Sequence, residues 1–534
     1  MKQKIWLIWL LTAFVCKANA QQIPLDMLVQ SRLNELEMRA DTNLFSGFRS
    51  INWLEVKPYL QHLKTDITDS VFDISHTTGN SWLRQITNNN WLQLNGSKTK
   101  LSVDPYVLAN AGIENDYNKP LYKMAVGIRV QGIYEDKLSY NISYAYNSMR
   151  LPLYVNNNIA GNGLYIPGMG KATPGANGIY SVGRFNGNLT YLAGKHVVLS
   201  SGYGKNFIGD GYRSLLLSDN ASDNPYIRLQ ARLWKVTYNV LYNRYQNPRF
   251  QIDGATQGKY SVMHYLGINI SKRLQIGMFD NVIWYAKDTN VHRGVDFQYL
   301  NPLIFLRPLE FEIGSPDNAF LGLTFKYRLL QNSYCYAQLG LDDINIAESF
   351  KNNTQHLNNK YGIQLGMFNS NFLQVKNLSY RLEWNAVRPY MYDYRSNKIG
   401  LNYTHNNQSL ANPFNANFHE FISMLQYHNN RWYGYLQNLL TIRGENPGLL
   451  YNNGEDLWGG EDNVPLLGSK TLQGNRHTYF FNQLSVGYLL NPRNRLCLQA
   501  DMVYRKHTAP GIATKDAFIN IGITTRLFNY NNDF

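Results

Sequence analysis

The sequence predicts an all-β fold, a single transmembrane antiparallel β-barrel of the outer-membrane type. Three observations predict it. Apolar and polar residues alternate in short segments from about residue 99 to the end of the chain. The first residues have the pattern of an export signal, and no later stretch is long and apolar enough for a membrane helix. Aromatic residues make up 14% of the chain and charged residues only 16%, which is low for a soluble protein.

The segment 1–20 has the pattern of a cleavable secretory signal. Two lysines precede an apolar core from Ile5 to Val15, and Ala18-Asn19-Ala20 provides small residues for cleavage. The core is too short to span a bilayer as an anchor. Val15 is not the small residue that usually precedes a lipidated cysteine, which argues against lipidation of Cys16. We therefore expect an exported chain.

Residues 21–98 precede the strand pattern and are less regular. Leu25 to Glu37 has apolar residues at helical spacing, which predicts an amphipathic helix. This helix comes before the first clear strand, so it is expected to plug the barrel or to lie in the periplasm. The predicted organisation is a signal peptide at 1–20, a helical plug or periplasmic region at 21–98, and a barrel at 99–534.

The clearest strand pattern lies between Lys137 and Met149. One face carries Leu138, Tyr140, Ile142, Tyr144 and Tyr146, and the other carries Ser139, Asn141, Ser143 and Asn147. A period of two is the strand period, so one face is apolar and the other is wet. The segment before it, Tyr122 to Tyr134, has a tyrosine at each end of its apolar face. This is typical of a strand that crosses a bilayer between two interfacial aromatic girdles.

About nineteen segments carry this pattern, the last ones including Ile399–His405 and Phe518–Phe528. Bacterial barrels of this type have an even number of strands, with alternating long and short connections. The alternation holds from residue 99 to about 342, and again from about 405 to the end, but the two phases disagree. One strand is therefore misassigned between Asp342 and His405, and we expect about 18 strands, with 16 and 20 as alternatives.

The long connections are predicted near 148–183, 204–225, 285–318 and 444–476. Long loops of such barrels lie outside the cell, so we expect these there. An apolar last strand and a terminal aromatic residue, Phe534, resemble the signal that the outer-membrane barrel assembly machinery reads. That machinery is therefore an expected partner during biogenesis.

The chain is basic, with a formal net charge of +14. A basic exported protein is suited to lipopolysaccharide or to an acidic glycan. The basic residues are scattered along strands rather than gathered on a helix or stripe, which argues against nucleic acid. Alternatively, these residues lie at the membrane boundaries or pair across the lumen. Cys335 and Cys497 each fall inside a predicted strand and are expected to be two free buried thiols.

Signals of catalysis are weak. The sequence has no His-Glu-x-x-His motif and no paired Cys-x-x-Cys spacing. Single histidines near strand ends, such as His264 and His419, are more often polar fillers than catalytic groups. We therefore predict no catalytic residue, no metal and no cofactor.

The segment from Gly202 to Leu229 is the strongest candidate for a binding site. Gly209-Asp210-Gly211 predicts a tight turn, and the polar face of the next strand should point into the lumen. One interpretation is a charged network that ties a loop to the wall. The other is a groove in which arginines bind sugar hydroxyls or carboxylates and tyrosines stack on pyranose rings. The candidate contacts are Tyr203, Lys205, Asp210, Tyr212, Arg213, Asp219, Arg228 and Arg232.

Two further polar clusters add candidates. In the segment from Gly294 to Leu323, Arg307 and Glu310 are placed to pair across the lumen. A third cluster runs from Val387 to Glu420 and contributes Arg388 and His405.

The three clusters resemble the Wzi-type capsule-assembly barrels, most closely the Bacteroidetes branch named after the gliding motility protein RemB. The similar motifs are Ile-Gly-Asp-Gly-Tyr-Arg-Ser-Leu-Leu-Leu-Ser-Asp-Asn-Ala at 208–221, Gln-Tyr-Leu-Asn-Pro at 298–302, Arg-Pro-Tyr at 388–390, Tyr-Thr-His at 403–405 and an Asn-Pro-x-x-Ala-Asn-Phe run at 412–418. In the last motif Asn415 replaces an expected glycine. The resemblance spans most of residues 95–528.

The resemblance implies a barrel of about 18 strands with a helical plug and a lectin-like role without catalysis. We therefore predict a non-enzymatic barrel in the outer membrane of a Gram-negative cell. It would bind or organise surface or capsular polysaccharide and contact membrane lipids and lipopolysaccharide, and its RemB-like features imply a part in gliding motility. The alternatives are a porin-like channel or transporter, an accessory component of a secretion or motility machine, and an outer-membrane lipase.

Overall fold

Eighteen antiparallel strands close into one barrel. Closure joins the first strand to the last, because residues 108–114 pair with residues 518–524. The computed structural model describes residues 23, 25–39, 47–52, 54–55, 81–287, 294–296, 298–301, 317–343, 355–394, 396–448, 452–461, 464–529 and 532–534. The predicted signal peptide and the candidates Arg307 and Glu310 lie outside these ranges.

Each strand pairs with its neighbours in the chain. The strands are β1 Thr99–Glu114, β2 Tyr117–Tyr134, β3 Leu138–Arg150, β4 Tyr180–Ala193, β5 Val197–Gly204, β6 Asn224–Leu233, β7 Val236–Ile252, β8 Ala255–Asn269, β9 Leu274–Tyr285, β10 Asn318–Leu330, β11 Ser333–Asp343, β12 Lys360–Ser370, β13 Leu378–Val387, β14 Phe418–Asn429, β15 Trp432–Glu445, β16 Asn475–Asn491, β17 Leu496–Ala509 and β18 Ile512–Thr525. A short strand, Leu92–Asn95, pairs with the start of β1.

Among the described residues, three α-helices accompany the barrel: α1 Met27–Arg39, α2 Ser81–Asn88 and α3 Leu153–Gly161. The helix predicted at Leu25 to Glu37 is therefore present as α1, two residues later at each end. In the described part of the chain, no helix is long and apolar enough to cross a membrane. Cys335 and Cys497 are both free, Cys497 buried and Cys335 half-buried.

The prediction of a barrel strand at Ile399–His405 was wrong. This segment lies between Asp342 and His405, where the two alternating patterns of long and short connections disagree. The chain there forms a 3₁₀ helix at Ser396–Leu401 and one arm of a small hairpin, Thr404–His405 with Gln408–Ser409. The sequence of this segment alternates like a strand because Leu401 and Tyr403, two residues apart, both pack in the interior. When this segment is no longer counted as a strand, all the long connections fall at one end of the barrel, here called the long-loop end. They are 151–179, 205–223, 286–317, 344–359, 388–417 and 446–474.

The outward face of the wall is apolar and the inward face is polar. On β3, Ile142, Tyr144 and Tyr146 are exposed, whereas Ser139, Ser143 and Asn147 are buried. Val126 in the middle of β2 is 74% exposed. The exposed set on other strands includes Leu189, Ile227, Leu323, Leu365, Leu484 and Ile521. A monomer in water rarely exposes an apolar surface of this extent, and a barrel in a bilayer requires one.

Helix α1 crosses the lumen near the short-turn end. At its start, the Asp26 carboxylate accepts from Arg526 Nη2 at 2.6 Å, just beyond the end of β18. Near its end, the Glu37 carboxylate lies 2.6 Å from Lys326 Nζ on β10. The apolar side of the helix, including Leu28, Val29 and Leu33, joins the main core. The helix therefore acts as a plug.

Long connections also fold into the lumen, among them 205–223 and 388–417, and Val155 and Ile159 of the 151–179 connection pack against the inward-facing Phe481. Leu215, Leu216 and Ala411 are completely buried. The prediction that the first of these loops lies outside the cell was therefore wrong, because the loop leaves from the long-loop end but turns back into the lumen. The physical reason is its apolar run, Leu215 to Leu217, which is buried only by turning inward.

The last strand ends earlier than predicted. It stops at Thr525 rather than Phe528, and the following residues turn into the lumen. The Phe534 ring packs against Tyr154 of α3 at a centroid distance of 5.7 Å.

Candidate functional site

Arg213 lies at the centre of a buried charged network. Its Nε donates to Glu420 Oε1 on β14 at 3.2 Å, and its Nη2 lies 3.1 Å from Asp533 Oδ2. The backbone N–H groups of Tyr212 and Arg213 donate to the Glu383 carboxylate on β13 at 2.6 and 3.0 Å. The Tyr212 hydroxyl donates to Asp533 at 2.6 Å. These contacts fasten the 205–223 loop to the wall and to the last residues of the chain.

Asp210 joins the same loop to α1. Its carboxylate lies 3.3 Å from Lys326 Nζ, which also pairs with Glu37 of α1. Its carbonyl accepts from Arg381 Nη1 at 2.7 Å. The loop, the plug helix and strands β10 and β13 are therefore linked through one set of ion pairs and hydrogen bonds.

Arg228 holds Ser50 and Glu55, which follow helix α1 in the chain. Its Nη2 lies 2.5 Å from Glu55 Oε1, and its Nη1 donates to the Ser50 carbonyl at 2.9 Å. Both charged side chains are almost completely buried. With Arg213 and Asp210, this pair favours the interpretation that a charged lumen network ties inward segments to the wall.

The other candidates of the first cluster are not all brought together. Lys205 Nζ donates to the Asp219 carbonyl at 2.6 Å, so these two residues are neighbours. Tyr203 is 39% exposed on the outward face, where its ring packs against Phe185. Arg232 lies near the short-turn end of β6, away from the loop. Tyr203 and Arg232 are thus separated from the network.

Arg388 and His405 lie in the 388–417 connection. Arg388 joins three long connections, because it donates to the carbonyls of Asn359 at 2.7 Å and of Ser469 at 3.2 Å. His405 is buried; its Nδ1 accepts from the Gln246 N–H at 3.1 Å, so Nε2 is left to donate to the Asp223 carbonyl at 3.3 Å. Burial lowers the pKa of His405 to about 4, which keeps the ring neutral.

A cavity of about 200 Å³ remains between the plug and one side of the wall. Glutamines from four successive strands line it: Gln426 on β14, Gln437 on β15, Gln483 on β16 and Gln499 on β17. Tyr435 and Asp501 complete this polar surface, and Phe481 and Phe518 add aromatic edges. We call this space the lumen cavity.

The polar groups of the lumen cavity are partly engaged with one another. Gln499 Nε2 donates to Asp501 Oδ1 at 2.7 Å, and Gln483 Nε2 donates to the Tyr435 hydroxyl at 3.0 Å. Gln426 is 7% exposed, and its amide makes no hydrogen bond to any residue that the structure describes. Neutral amides that both donate and accept, beside aromatic rings, are suited to the hydroxyl groups and faces of a sugar.

Sequence reasoning missed these glutamines. They lie on the inward faces of β14 to β17. In register, Gln437 pairs directly with Gln483, whereas Gln426 and Gln499 are displaced by two and four residues along their strands. The four amides therefore form an oblique row that only the pairing of the strands reveals. Among the described residues, no group of three or more His, Cys, Asp or Glu side chains is arranged to hold a metal ion.

No family model matches the chain, and no curated protein matches it. Among solved structures, the chain is similar to Wzi, an outer-membrane protein involved in group 1 capsule assembly in Escherichia coli and described as a carbohydrate-binding β-barrel. The identity is 11%, the TM-score is 0.55, and the match covers 96% of this chain and 99% of Wzi. OprD of Pseudomonas aeruginosa matches with a TM-score of 0.42 and 8% identity, over 79% of this chain and 94% of OprD. At such identities the likeness to Wzi shows a shared barrel fold.

Proposed function

We propose that the protein is a non-enzymatic outer-membrane barrel that binds or organises surface or capsular polysaccharide. The apolar outward face supports a membrane location, because a bilayer removes that surface from water. The similarity to a carbohydrate-binding capsule-assembly barrel over nearly the whole chain supports the role. Within this proposal, the signal at 1–20 directs export, the barrel assembly machinery inserts the chain, and lipopolysaccharide surrounds it.

The lumen cavity is the observation that carries the proposal. It places the amide of Gln426 among further glutamines, Tyr435 and aromatic edges. An amide that lines a cavity without a protein partner can both donate to and accept from a ligand hydroxyl. With about 200 Å³, the cavity is smaller than drug-sized ligand sites, so one sugar residue of a longer chain is the appropriate occupant.

A porin-like channel is the main alternative, and the plug argues against it. Helix α1 and the 205–223 loop are fastened across the lumen by the Arg213 and Lys326 ion pairs, and the 388–417 loop also occupies it. A freely conducting pore requires a continuous water path past these elements. Planar-bilayer recording of the purified protein distinguishes the two: a steady open conductance would favour the channel.

Binding of polysaccharide by the purified barrel tests the proposal. We expect Gln426→Leu to weaken it about tenfold, because the substitution keeps the size of the side chain but removes an amide that faces the cavity, and a lost hydrogen bond of about 1.4 kcal/mol corresponds to that factor. Gln230→Leu is the matched control, since Gln230 is a buried lumen glutamine on β6. Absence of glycan binding by the unmodified, correctly folded barrel would contradict the proposal.

A capsule role and a gliding role are separate forms of this proposal, and the resemblance to the RemB-like branch motivates the second. A clean deletion scored in parallel for capsule staining and colony spreading separates them. Loss of staining with normal spreading would favour capsule attachment. Loss of spreading with a normal capsule would favour gliding.

A further inference from the structure

A second, smaller cavity of about 70 Å³ lies beside the lumen cavity. It is enclosed by the inward faces of β2, β3 and β4, the 205–223 loop and residues 527–529. Its wall carries three cations, Arg129, Arg184 and Lys205, and two carboxylates, Asp219 and Asp223. We call it the basic cavity.

Arg129 is the least satisfied of these cations. It is only 3% exposed, and its Nε donates to Asn141 Oδ1 at 3.2 Å. Its Nη1 is buried with no hydrogen-bond partner among the described residues. Asp104 lies opposite Arg129 across the β1–β2 pair. However, the oxygens of Asp104 accept from the Asn90 side chain at 2.7 Å and from the Trp91 N–H at 3.0 Å.

The carboxylates of the basic cavity are already occupied by protein donors. Asp223 pairs with Arg184 at 2.8 Å, and the Asp219 carboxylate accepts from Asn529 Nδ2 at 2.7 Å. Lys205 reaches only the carbonyl of Asp219. These contacts leave Arg129 and Lys205 without a carboxylate of their own in the cavity.

The surroundings are consistent with an excess of positive charge. Burial, followed by the positive charge of Arg184, lowers the pKa of Lys205 to about 8. Burial, followed by the positive charge of Arg129, lowers the pKa of Arg495, in the nearby turn after β16, to about 9. Cations that disfavour one another's charge in a confined space favour the entry of an anion.

The two cavities adjoin. Leu25, Asp219, Phe528 and Asn529 line both of them. A sugar ring in the lumen cavity would therefore lie next to the basic cavity, so that one substituent need only pass the Asn529 side chain to enter it. Its volume suits a carboxylate or another small oxyanion and excludes a second ring.

We propose that the basic cavity binds the carboxylate of an acidic sugar whose ring occupies the lumen cavity, with Arg129 as the main partner. This inference rests on the proposed polysaccharide binding and specifies its ligand as a uronic-acid-containing glycan. A guanidinium binds a carboxylate through charge-assisted hydrogen bonds. No bond is made or broken, so the role is recognition alone.

The test is calorimetric titration of the purified full-length barrel with D-glucuronate, D-glucose and inorganic phosphate. We expect glucuronate to bind about tenfold to a hundredfold more tightly than glucose, the range expected for hydrogen bonds to a charged group. Arg129→Gln should abolish this difference and leave glucose binding unchanged. Arg150→Gln is the matched control, because it removes the same charge at the rim, where Arg150 bonds to backbone carbonyls.

The outcomes are distinguishable. Arg129→Lys keeps the charge and should retain part of the preference, and a heat-modifiable gel shift checks that each variant folds. Equal binding of glucuronate and glucose by the unmodified barrel would overturn the inference while the polysaccharide proposal stands. Phosphate binding as tight as that of glucuronate would also overturn it, since the cavity would then be a simple anion site. Failure of polysaccharide itself to bind would instead contradict the proposed function.

Discussion

The 205–223 and 388–417 loops both fold into the lumen, but they are held by different forces. The 205–223 loop is held by ion pairs, from Arg213 to Glu420 and Asp533 and from Asp210 to Lys326. The 388–417 loop is held mainly by neutral groups. Its Tyr403 hydroxyl donates to the Leu216 carbonyl at 2.5 Å, and its Asn417 side chain donates to the Gly444 carbonyl at 2.9 Å. One cation, Lys259, donates to the carbonyls of residues 400 and 402.

This difference determines which change destabilises each loop. A buried ion pair costs desolvation when it forms, and removal of one partner leaves an uncompensated charge in the interior. The first loop is therefore sensitive to single charge deletions. The second loop depends on hydrogen bonds of side chains that are neutral in the folded protein. Protonation of such a side chain would weaken these bonds, so this loop is sensitive to pH instead. The two loops also contact each other, because the Ser218 N–H donates to the Leu410 carbonyl at 2.8 Å.

The largest expected effect is that of Arg213→Ala. The substitution leaves Glu420 and Asp533 buried without their cation, which should lower the free energy of unfolding by about 3–5 kcal/mol. Denaturant unfolding measures this loss, and limited proteolysis should detect new cleavage within the 205–223 loop. The combined variant Arg213→Met, Glu420→Gln, Asp533→Asn should recover most of the stability, because no charge is then left unpaired. An unchanged unfolding midpoint in Arg213→Ala would contradict the view that ion pairs hold this loop.

The wall could be predicted from sequence, whereas for the plug only helix α1 could be predicted and not the contacts that hold it. Alternation has a period that each strand carries locally, as the exposed Ile142 and buried Ser139 of β3 show. The plug depends on contacts between distant residues, such as Arg213 with Asp533, and these leave no periodic signal. Ile399–His405 shows the limit, because an inward loop that packs alternate side chains resembles a strand.

The candidate site likewise contains residues that could be identified from the sequence and residues that could not. Charged candidates such as Arg213 and Arg228 were detectable, because charges in a predicted lumen are conspicuous, yet the structure gives each of them a protein partner. Gln426 was missed because a single glutamine on a strand belongs to no motif. Its position becomes informative only when four strands are placed side by side.

A smaller effect is expected from the protonation of His405 in the second loop. The ring is neutral when folded, with a pKa of about 4 against 6.5 when exposed, and burial is the main cause. Between these values the unfolded chain binds more protons, so the free energy of unfolding should fall as the pH decreases from 6.5 to 4, by at most about 3 kcal/mol. Protonated His405 would also lose its bond from the Gln246 N–H, because Nδ1 would no longer accept.

His405→Asn isolates this contribution. Asparagine offers one acceptor for the Gln246 N–H and one donor for the Asp223 carbonyl, and it does not titrate. The unfolding free energy of the unmodified protein, minus that of His405→Asn, should therefore decrease as the pH falls from 7 to 4.5. Because other buried histidines titrate equally in both proteins, their contributions cancel in that difference. His196→Asn, at an exposed position, serves as the control and should show no such trend. A difference that stays constant with pH would mean that the pKa of His405 is the same in the folded and unfolded chain, which would contradict the prediction.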